Sequence, residues 1–279
     1  MEHNFNKFIQ NALLEDLGDG DHTSIACVSN GTKKKAKLII KDKGIIAGIE
    51  LAKIIFNYIN PKLVFKSVLS DGDNVNKNDI AFEIEGDAIS ILKSERLVLN
   101  CMQRMSAIST KTNFLNSLIK NTHCKLLDTR KTTPNNRKIE KWAVRIGGGY
   151  NHRFGLYDMI MIKDNHIDYA GGISNAINKT KEYLSENNKN LKIIIEARNI
   201  KEVNQIIETG GIDRILLDNF SIENTLKAVK LINKKYQTES SGGINEKTIQ
   251  KYANCGVDFI SLGLITNSID VFDLSLKAS

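Results

Sequence analysis

Cysteine, proline and aromatic residues are all scarce in this chain. Its 4 cysteines, Cys27, Cys101, Cys124 and Cys255, lie far apart with no C-x-x-C pair. At this length that excludes a disulfide framework and a zinc ribbon and leaves reduced, buried thiols. With 2 prolines, 19 glycines and no repeat or low-complexity tract, the chain is not collagenous, linker-like or a solenoid. No stretch approaches the roughly 18 apolar residues of a membrane span. The opening MEHNFNKFIQ places charges and amides where a signal peptide needs an apolar core, so a cytoplasmic location is expected. What remains, 41% hydrophobic and 25% charged over 279 residues, is the composition of a compact globular protein of one large or two modest domains.

The net charge of +7, from 39 basic and 32 acidic residues, admits nucleic acid, anionic membrane or small anionic substrates as partners. Aromatics at 6% do not build the stacking platform of a nucleic-acid binder, so no nucleic acid is expected. Lysine is scattered through surface-like segments such as Lys33, Lys34 and Lys35, a run that reads as a solvated turn or strand edge. Arginine is different: of 8 in the chain, Arg96, Arg104, Arg130, Arg137, Arg145 and Arg153 fall within one stretch. Guanidinium binds carboxylate and phosphate bidentately, so this stretch marks the expected anion site.

Along the chain, Phe5, Phe8, Ile9, Ala12 and Leu13 recur with helical period until Gly18 and Gly20 interrupt them in the acidic loop EDLGDGDHTS. That loop reads as caps and turns more readily than as a metal site. Strands are expected at 36–40, 45–49, 64–69 and 80–84, the last from the alternation Ile80, Phe82, Ile84, with a helix near 50–59. A long helical pattern over 89–120 carries Met102 and Met105 inward as core fillers, with Ser106 to Ser109 a candidate break between two helices. Trp142 is assigned to packing on a helix over 136–146.

After residue 123 short apolar runs end abruptly in polar or glycine residues, each followed by a helix-length segment. The ends fall at Asp128, Lys163, Glu196, Asp218, Ser240 and Gly263, spaced by 35, 33, 22, 22 and 23 residues. Such spacing belongs to repeated β/α units. A full barrel takes ~250 residues, so the 145 available predict an incomplete barrel of six or seven strands. The fold class is therefore α/β, with an N-terminal α/β domain over 1–110, rejoined by 268–279, and a parallel α/β barrel over 111–267.

In such barrels the C-terminal strand ends share one mouth. They supply Asp128, Arg130 and Lys131, then Lys163 with Asp164, Asn165 and His166, then Glu196 and Arg198, Asp218, Ser241 to Gly243, and Gly263. The loop GGGYNHRFGL adds Asn151, His152 and Arg153. So many cations in one pocket require an anionic ligand. Glu196 and Asp218 can offer hard oxygens to Mg²⁺, and Gly242, Gly243 and Gly263 fall in the last two units, where such barrels bind phosphate. His3, His22 and His123 lack any such surroundings.

The stretches EDLGDGDHTS, ERLVLNCMQRMSAIST, LLDTRKTTPNNRKIEKWAVRIGGGYNHRFGLYDMIMIKDNH, RILLDN, SSGGI and ISLGLIT closely resemble the quinolinate phosphoribosyltransferase family, also called nicotinate-nucleotide pyrophosphorylase (carboxylating). The resemblance spans essentially the whole chain. It implies an N-terminal α/β sandwich packed on a shortened barrel. It also implies transfer of phosphoribosyl from phosphoribosyl pyrophosphate to quinolinate with decarboxylation, Mg²⁺ as cofactor, and nicotinate mononucleotide, CO2 and pyrophosphate as products. By the same resemblance, Arg130, Lys131, His152 and Arg153 meet the quinolinate carboxylates, while Lys163, Glu196 and Asp218 line the ribose and metal side. Ser241, Gly242, Gly243 and Gly263 hold phosphate, Lys131, Lys163, Glu196 and Asp218 form the catalytic set, and Arg96 completes the neighbouring site of a homodimer. The chain has Asn267 where many members carry histidine. The alternative is a related phosphoribosyltransferase of the molybdenum-transport-associated type, with a different acceptor.

Overall fold

A computed structural model describes residues 5–279; His3 lies outside them. In chain order the elements are α1 (Asn6–Leu17), α2 (His22–Cys27), β1 (Lys33–Ile40), β2 (Gly44–Ile45), α3 (Ile49–Ile59), β3 (Val64–Ser67), β4 (Asn74–Val75), β5 (Ile80–Asp87) and α4 (Ala88–Ile119). Then follow β6 (Lys125–Leu127), α5 (Arg137–Ile146), β7 (Ile160–Ile162), α6 (Asp164–Ala170), α7 (Ile173–Glu186), β8 (Ile193–Ala197), α8 (Ile200–Thr209), β9 (Arg214–Asp218) and α9 (Ile222–Ile232). The chain ends with β10 (Gln237–Ser241), α10 (Ile249–Asn254), β11 (Phe259–Ser261), α11 (Leu264–Asn267) and β12 (Leu274–Ala278). Among the described residues no helix is long and apolar enough to cross a membrane.

The first of two units comprises residues 1–113, 133–148 and 269–279. Its four-stranded sheet runs in the order β12-β1-β5-β3, with every pairing antiparallel. One face of this sheet is apolar: Leu38, Ile40, Phe82 and Ile84 are buried, and Phe82 lies 4.6 Å from Phe65 and 5.8 Å from Phe56 of α3 between ring centroids. The lysine run forms the exposed start of β1, where Lys35 pairs with Glu85 across the strands at 2.8 Å. The acidic loop is a cap, since Asp21 accepts the Ser24 backbone N–H at 3.0 Å.

Three expectations change here. The strand expected at 45–49 shrinks to Gly44–Ile45, because Gly48 adopts a left-handed φ of 97° and α3 begins immediately after it. Helix α4 runs unbroken from Ala88 to Ile119. Its serines are close-approach contacts, not a break: Ser106 accepts the Ala47 N–H at 3.0 Å and Ser109 donates to the Ala143 carbonyl at 2.8 Å. Third, residues 133–148, expected in the barrel, cluster with the first unit. The Ser109 bond, an ion pair of Arg104 with the buried Glu140 at 2.9 Å and stacking of Trp142 on Phe5 at 5.7 Å hold α5 there. Met102 and Met105 are fully buried, as expected.

The second unit, residues 114–132 and 149–268, carries a six-stranded sheet in the order β6-β11-β10-β9-β8-β7. All its pairings are parallel. First strand pairs with last, as barrel closure requires, and the break falls between β6 and β7, where a single bridge joins Leu127 to Tyr150. The central strands are buried on both faces, β8 throughout its length, which is why they read as continuous apolar runs. Alternate side chains of β8 and β9, such as Ile193, Ile195, Ile215 and Leu217, pack against α7, α8 and α9.

Candidate active site

Parallel strands followed by helices carry their C-terminal ends to one side of the sheet, and the connecting loops gather there. A cavity of about 650 Å³ occupies that side, and every residue lining it belongs to the second unit. Arg130 and Lys131 enter after β6, His152 and Arg153 before β7, Lys163 after β7, and Glu196 and Asp218 at the ends of β8 and β9. Ser241, Gly242 and Gly243 follow from β10, and Gly263 follows β11. The cavity thus gathers every residue that the family resemblance assigned to substrate, metal or catalysis except Arg96, which is exposed on α4 in the first unit. Asn267 also lines the cavity, its side-chain oxygen accepting the Ser268 hydroxyl at 2.9 Å.

The cationic wall is built by buried anchoring. Arg153 is only 7% exposed and its Nη1 donates to the Met159 carbonyl at 3.1 Å. Burial, and then the charge of Arg130 nearby, pulls its guanidinium below the ordinary arginine range. Opposite in sign, Glu196 is buried and accepts from Lys163 Nζ at 2.5 Å. Asp218 stays half-exposed and accepts from Asn219 Nδ2 at 2.9 Å. Glu196 and Asp218 are hard oxygen donors of the kind Mg²⁺ takes one or two at a time alongside substrate phosphates. No cluster of three or more metal-type side chains exists among the described residues, so water and substrate would complete any such ion.

Gly242 sits at φ 87°, and a Cβ there would drive into the Asn219 side chain and backbone nitrogen. Asn219, itself left-handed at φ 54°, donates its N–H to the Ser241 carbonyl at 2.9 Å. The loops after β9 and β10 therefore lock together only because residue 242 lacks a side chain. Gly243 follows at φ 63°, where a Cβ would meet nothing within 4 Å, and both glycines line the cavity.

His152 is buried at the inner end of this wall: its Nδ1 accepts the Arg153 backbone N–H at 2.7 Å, and its Nε2 faces Glu239 Oε2 at 3.4 Å. Glu239 lines the cavity and was not anticipated from the sequence. It is fully buried on β10 and paired with Arg214 Nη1 at 2.7 Å. Burial alone would raise its pKa, but hydrogen bonding to His152, the charges of His152 and Arg214, and Ser261 outweigh it and hold the carboxyl below its ordinary range.

Several expected mouth residues fall elsewhere. Asp128 is fully buried and does not line the cavity. Arg198 turns to Glu202 at 2.8 Å and Asp168 at 3.2 Å. Asp164, Asn165 and His166 are exposed, and His166 Nδ1 accepts the Lys163 backbone N–H at 2.9 Å at the start of α6. His22 and His123 are exposed beside Asp19 and Asp258.

Comparison with known proteins agrees with this architecture. Residues 21–106 match the family described as quinolinate phosphoribosyl transferase, N-terminal domain, and residues 108–277 match its C-terminal domain. The chain is 42% identical to quinolinate phosphoribosyltransferase [decarboxylating] 1b of Nicotiana tabacum, covering 96% of this chain and 81% of that one. It is 38% identical to a probable nicotinate-nucleotide pyrophosphorylase [carboxylating] of Bacillus subtilis, over 98% and 93% of the two chains. Among solved structures, the nicotinate-nucleotide pyrophosphorylase of Francisella tularensis superposes with a TM-score of 0.91 at 39% identity, over 98% and 95% of the chains. The chain belongs to the quinolinate phosphoribosyl transferase family.

Proposed function

We propose that this chain is a nicotinate-nucleotide pyrophosphorylase (carboxylating): it transfers phosphoribosyl from phosphoribosyl pyrophosphate to quinolinate, yielding nicotinate mononucleotide, CO2 and pyrophosphate for NAD synthesis. One observation carries the reading: a single cavity joins an arginine- and lysine-rich wall to a carboxylate pair and a glycine loop. Those are the complements of a dicarboxylate, a ribose and a phosphate. Arg130, Lys131 and Arg153 hold the two carboxylates of quinolinate, and fixed charges in a partly enclosed site bind more strongly than they would in water. Ser241 and the amides around Gly242, Gly243 and Gly263 hold the 5′-phosphate.

With both substrates fixed, the pyridine nitrogen forms its bond to the ribose C1′ as the bond from C1′ to pyrophosphate breaks and the leaving group takes the electron pair. The ring, now positive at nitrogen, accepts the electron pair of the bond to its neighbouring carboxylate as CO2 departs, and a proton fills the vacated carbon. Lys163 and Glu196 form a hydrogen-bonded pair suited to the ribose hydroxyls and to the charge that develops on the sugar. Positioning and charge stabilisation supply the rate, and no covalent nucleophile is required. Glu196 and Asp218, directly or through water, are the residues that would hold Mg²⁺. When bound, that ion neutralises the diphosphate.

The further reading is a cytoplasmic homodimer in which Arg96 of one subunit completes the site of the other. Mixing Arg96→Ala with Lys163→Ala subunits then restores part of the activity, whereas verified heterodimers without recovery count against a shared site. The primary test is incubation of the purified protein with quinolinate, phosphoribosyl pyrophosphate and Mg²⁺, following nicotinate mononucleotide by chromatography, with nicotinic acid as control acceptor. Product from quinolinate alone supports the reading. No product from either acceptor in a folded protein moves it to a related transferase with another acceptor.

A further inference from the structure

Asp128 stands at a strand end beside Arg130 and Lys131, yet the fold takes its side chain out of the cavity and buries it completely. A carboxylate is costly to bury unless its oxygens are used. Here Oδ1 accepts the His152 backbone N–H at 2.7 Å and Oδ2 accepts the Asn151 side-chain amide at 2.6 Å. The main chain continues the same attachment: Asp128 donates its N–H to the Tyr150 carbonyl at 3.1 Å, and Tyr150 donates to Leu126 at 2.8 Å. Residues 150–152 are thereby tied to the end of β6, two of them by this one side chain.

Immediately beyond the tie stands Arg153, which lines the cavity. Residues 151–159 form no helix or strand, so no ladder of backbone bonds sets their register. We propose that Asp128 is a positioning residue that aims the His152–Arg153 segment at the acceptor end of the cavity, so that binding of a pyridine dicarboxylate depends on a carboxylate that does not touch it. This rests on the function proposed above. The carboxylate answers both donors at once, whereas an amide at 128 does so only if the Asn151 amide flips to present its oxygen. An asparagine at 128 keeps one acceptor but turns its own amide donor toward Asn151.

That asymmetry supplies the test, made on the full-length protein. Asp128→Asn is compared with the swap Asp128→Asn/Asn151→Asp, in which the amide now at position 128 donates to the carboxylate now at position 151 and still accepts the His152 backbone N–H. Loss of a hydrogen bond to a charged group corresponds to about tenfold or more in binding. Asp128→Asn is expected to raise the KM for quinolinate by that factor, to leave the KM for phosphoribosyl pyrophosphate within about twofold, and to speed amide hydrogen exchange in peptides covering 149–155. The swap recovers most of each change.

Equal loss for both substrates with no recovery in the swap would mark Asp128 as merely structural and overturn the proposal, as would an unchanged KM for quinolinate. Should Asp128→Asn fail to fold, Asn151→Ala removes one of the two bonds from the exposed side and is expected to shift exchange and KM in the same direction. No shift there also overturns the proposal. Wild-type protein inert toward quinolinate would sink the proposed reaction alone, since the exchange comparison needs no substrate.

Discussion

Replacing Glu239 by glutamine removes one negative charge from the interior of β10 while keeping the side chain's shape. The charge lies in a buried chain: Arg214 Nη1 is 2.7 Å from Glu239 Oε2, and His152 Nε2 is 3.4 Å from the same oxygen. The side chains of Arg214 and Glu239 are 9% and 0% exposed, so water screens neither. In the variant the guanidinium stays packed over the Phe259 ring, 3.8 Å from its centroid, with its carboxylate partner gone. Removing one partner of a buried pair costs about 3–5 kcal/mol, a large part of the ~5–15 kcal/mol typical of a folded protein. The sign of the pH dependence follows from the lowered pKa of Glu239. Its ionised form is favoured by folding, so this stabilisation is present above the ordinary glutamate range and disappears as pH falls through the lower folded-state value. Urea unfolding midpoints from pH 7 down to pH 3 are therefore expected to show a large gap between wild type and Glu239→Gln that narrows in acid. The double variant Arg214→Met/Glu239→Gln, which removes the stranded cation and keeps an acceptor for His152, recovers most of the loss. A single variant within about 0.5 kcal/mol of wild type at pH 7, or a gap unchanged in acid, would refute the reasoning.

Gly242→Ala places a methyl group against Asn219 at a left-handed φ of 87°, at a conformational cost of about 1–2 kcal/mol. A lowered unfolding midpoint with a raised KM for phosphoribosyl pyrophosphate is expected, and an unchanged KM would remove the glycine loop from phosphate binding. Lys163→Met breaks the contact with Glu196; the lysine side chain is 45% exposed but the carboxylate only 10%, so the stability loss should be smaller than that of Glu239→Gln. The kcat should instead drop ~10²–10³-fold, and a drop below threefold contradicts a role in the reaction. Burial pushes the thiols of Cys101 and Cys124 up to about 12, and raises Cys255 as well, whereas Cys27 is exposed. Iodoacetamide at pH 8 is therefore expected to label Cys27 in the native protein and all 4 cysteines only in denaturant, read by mass spectrometry. Native labelling of Cys101 would show that α4 opens.

The barrel half of the fold was legible because parallel strands buried on both faces appear as uninterrupted apolar runs with sharp ends. Ends read at Asp128, Glu196 and Asp218 fall within one residue of the ends of β6, β8 and β9. The destination of 133–148 was not legible: amphipathic period identifies a helix but not its partner. The serines of α4 misled for a related reason. Small polar residues in a helical pattern suggest a break when viewed locally, and only the opposing Ala47 and Ala143 backbone groups reveal them as contacts. At 45–49 the apolar run looked like a strand, but the left-handed conformation of Gly48 turns it into the start of α3.

At the site, one geometric rule gathered the strand-end residues without any alignment, and its failures share a cause. Position at a strand end fixes height along the barrel, but strand alternation stops fixing direction once the strand ends. Asp128 and Arg198 lie one residue past the ends of β6 and β8, and neither lines the cavity, although Arg130 and Glu196, two residues away from each, do. Glu239 was missed because TESS carries no alternation to set a buried acid apart from its neighbours. A signal did exist in Arg214, a charged residue immediately before the apolar run ILL of β9. The parallel register pairs Arg214 with Gln237, two residues before Glu239, so the arginine's demand for a buried partner falls within reach of that carboxylate. Once Glu196 is assigned to Lys163 and Glu239 to Arg214, two of the carboxylates lining the cavity are matched within the protein. Arg130, Lys131 and Arg153 then give one wall a positive excess, and Asp218 gives the other a negative one. That polarity is the physical reason for proposing that the dicarboxylate takes the first wall and that the diphosphate, with any Mg²⁺, takes the second.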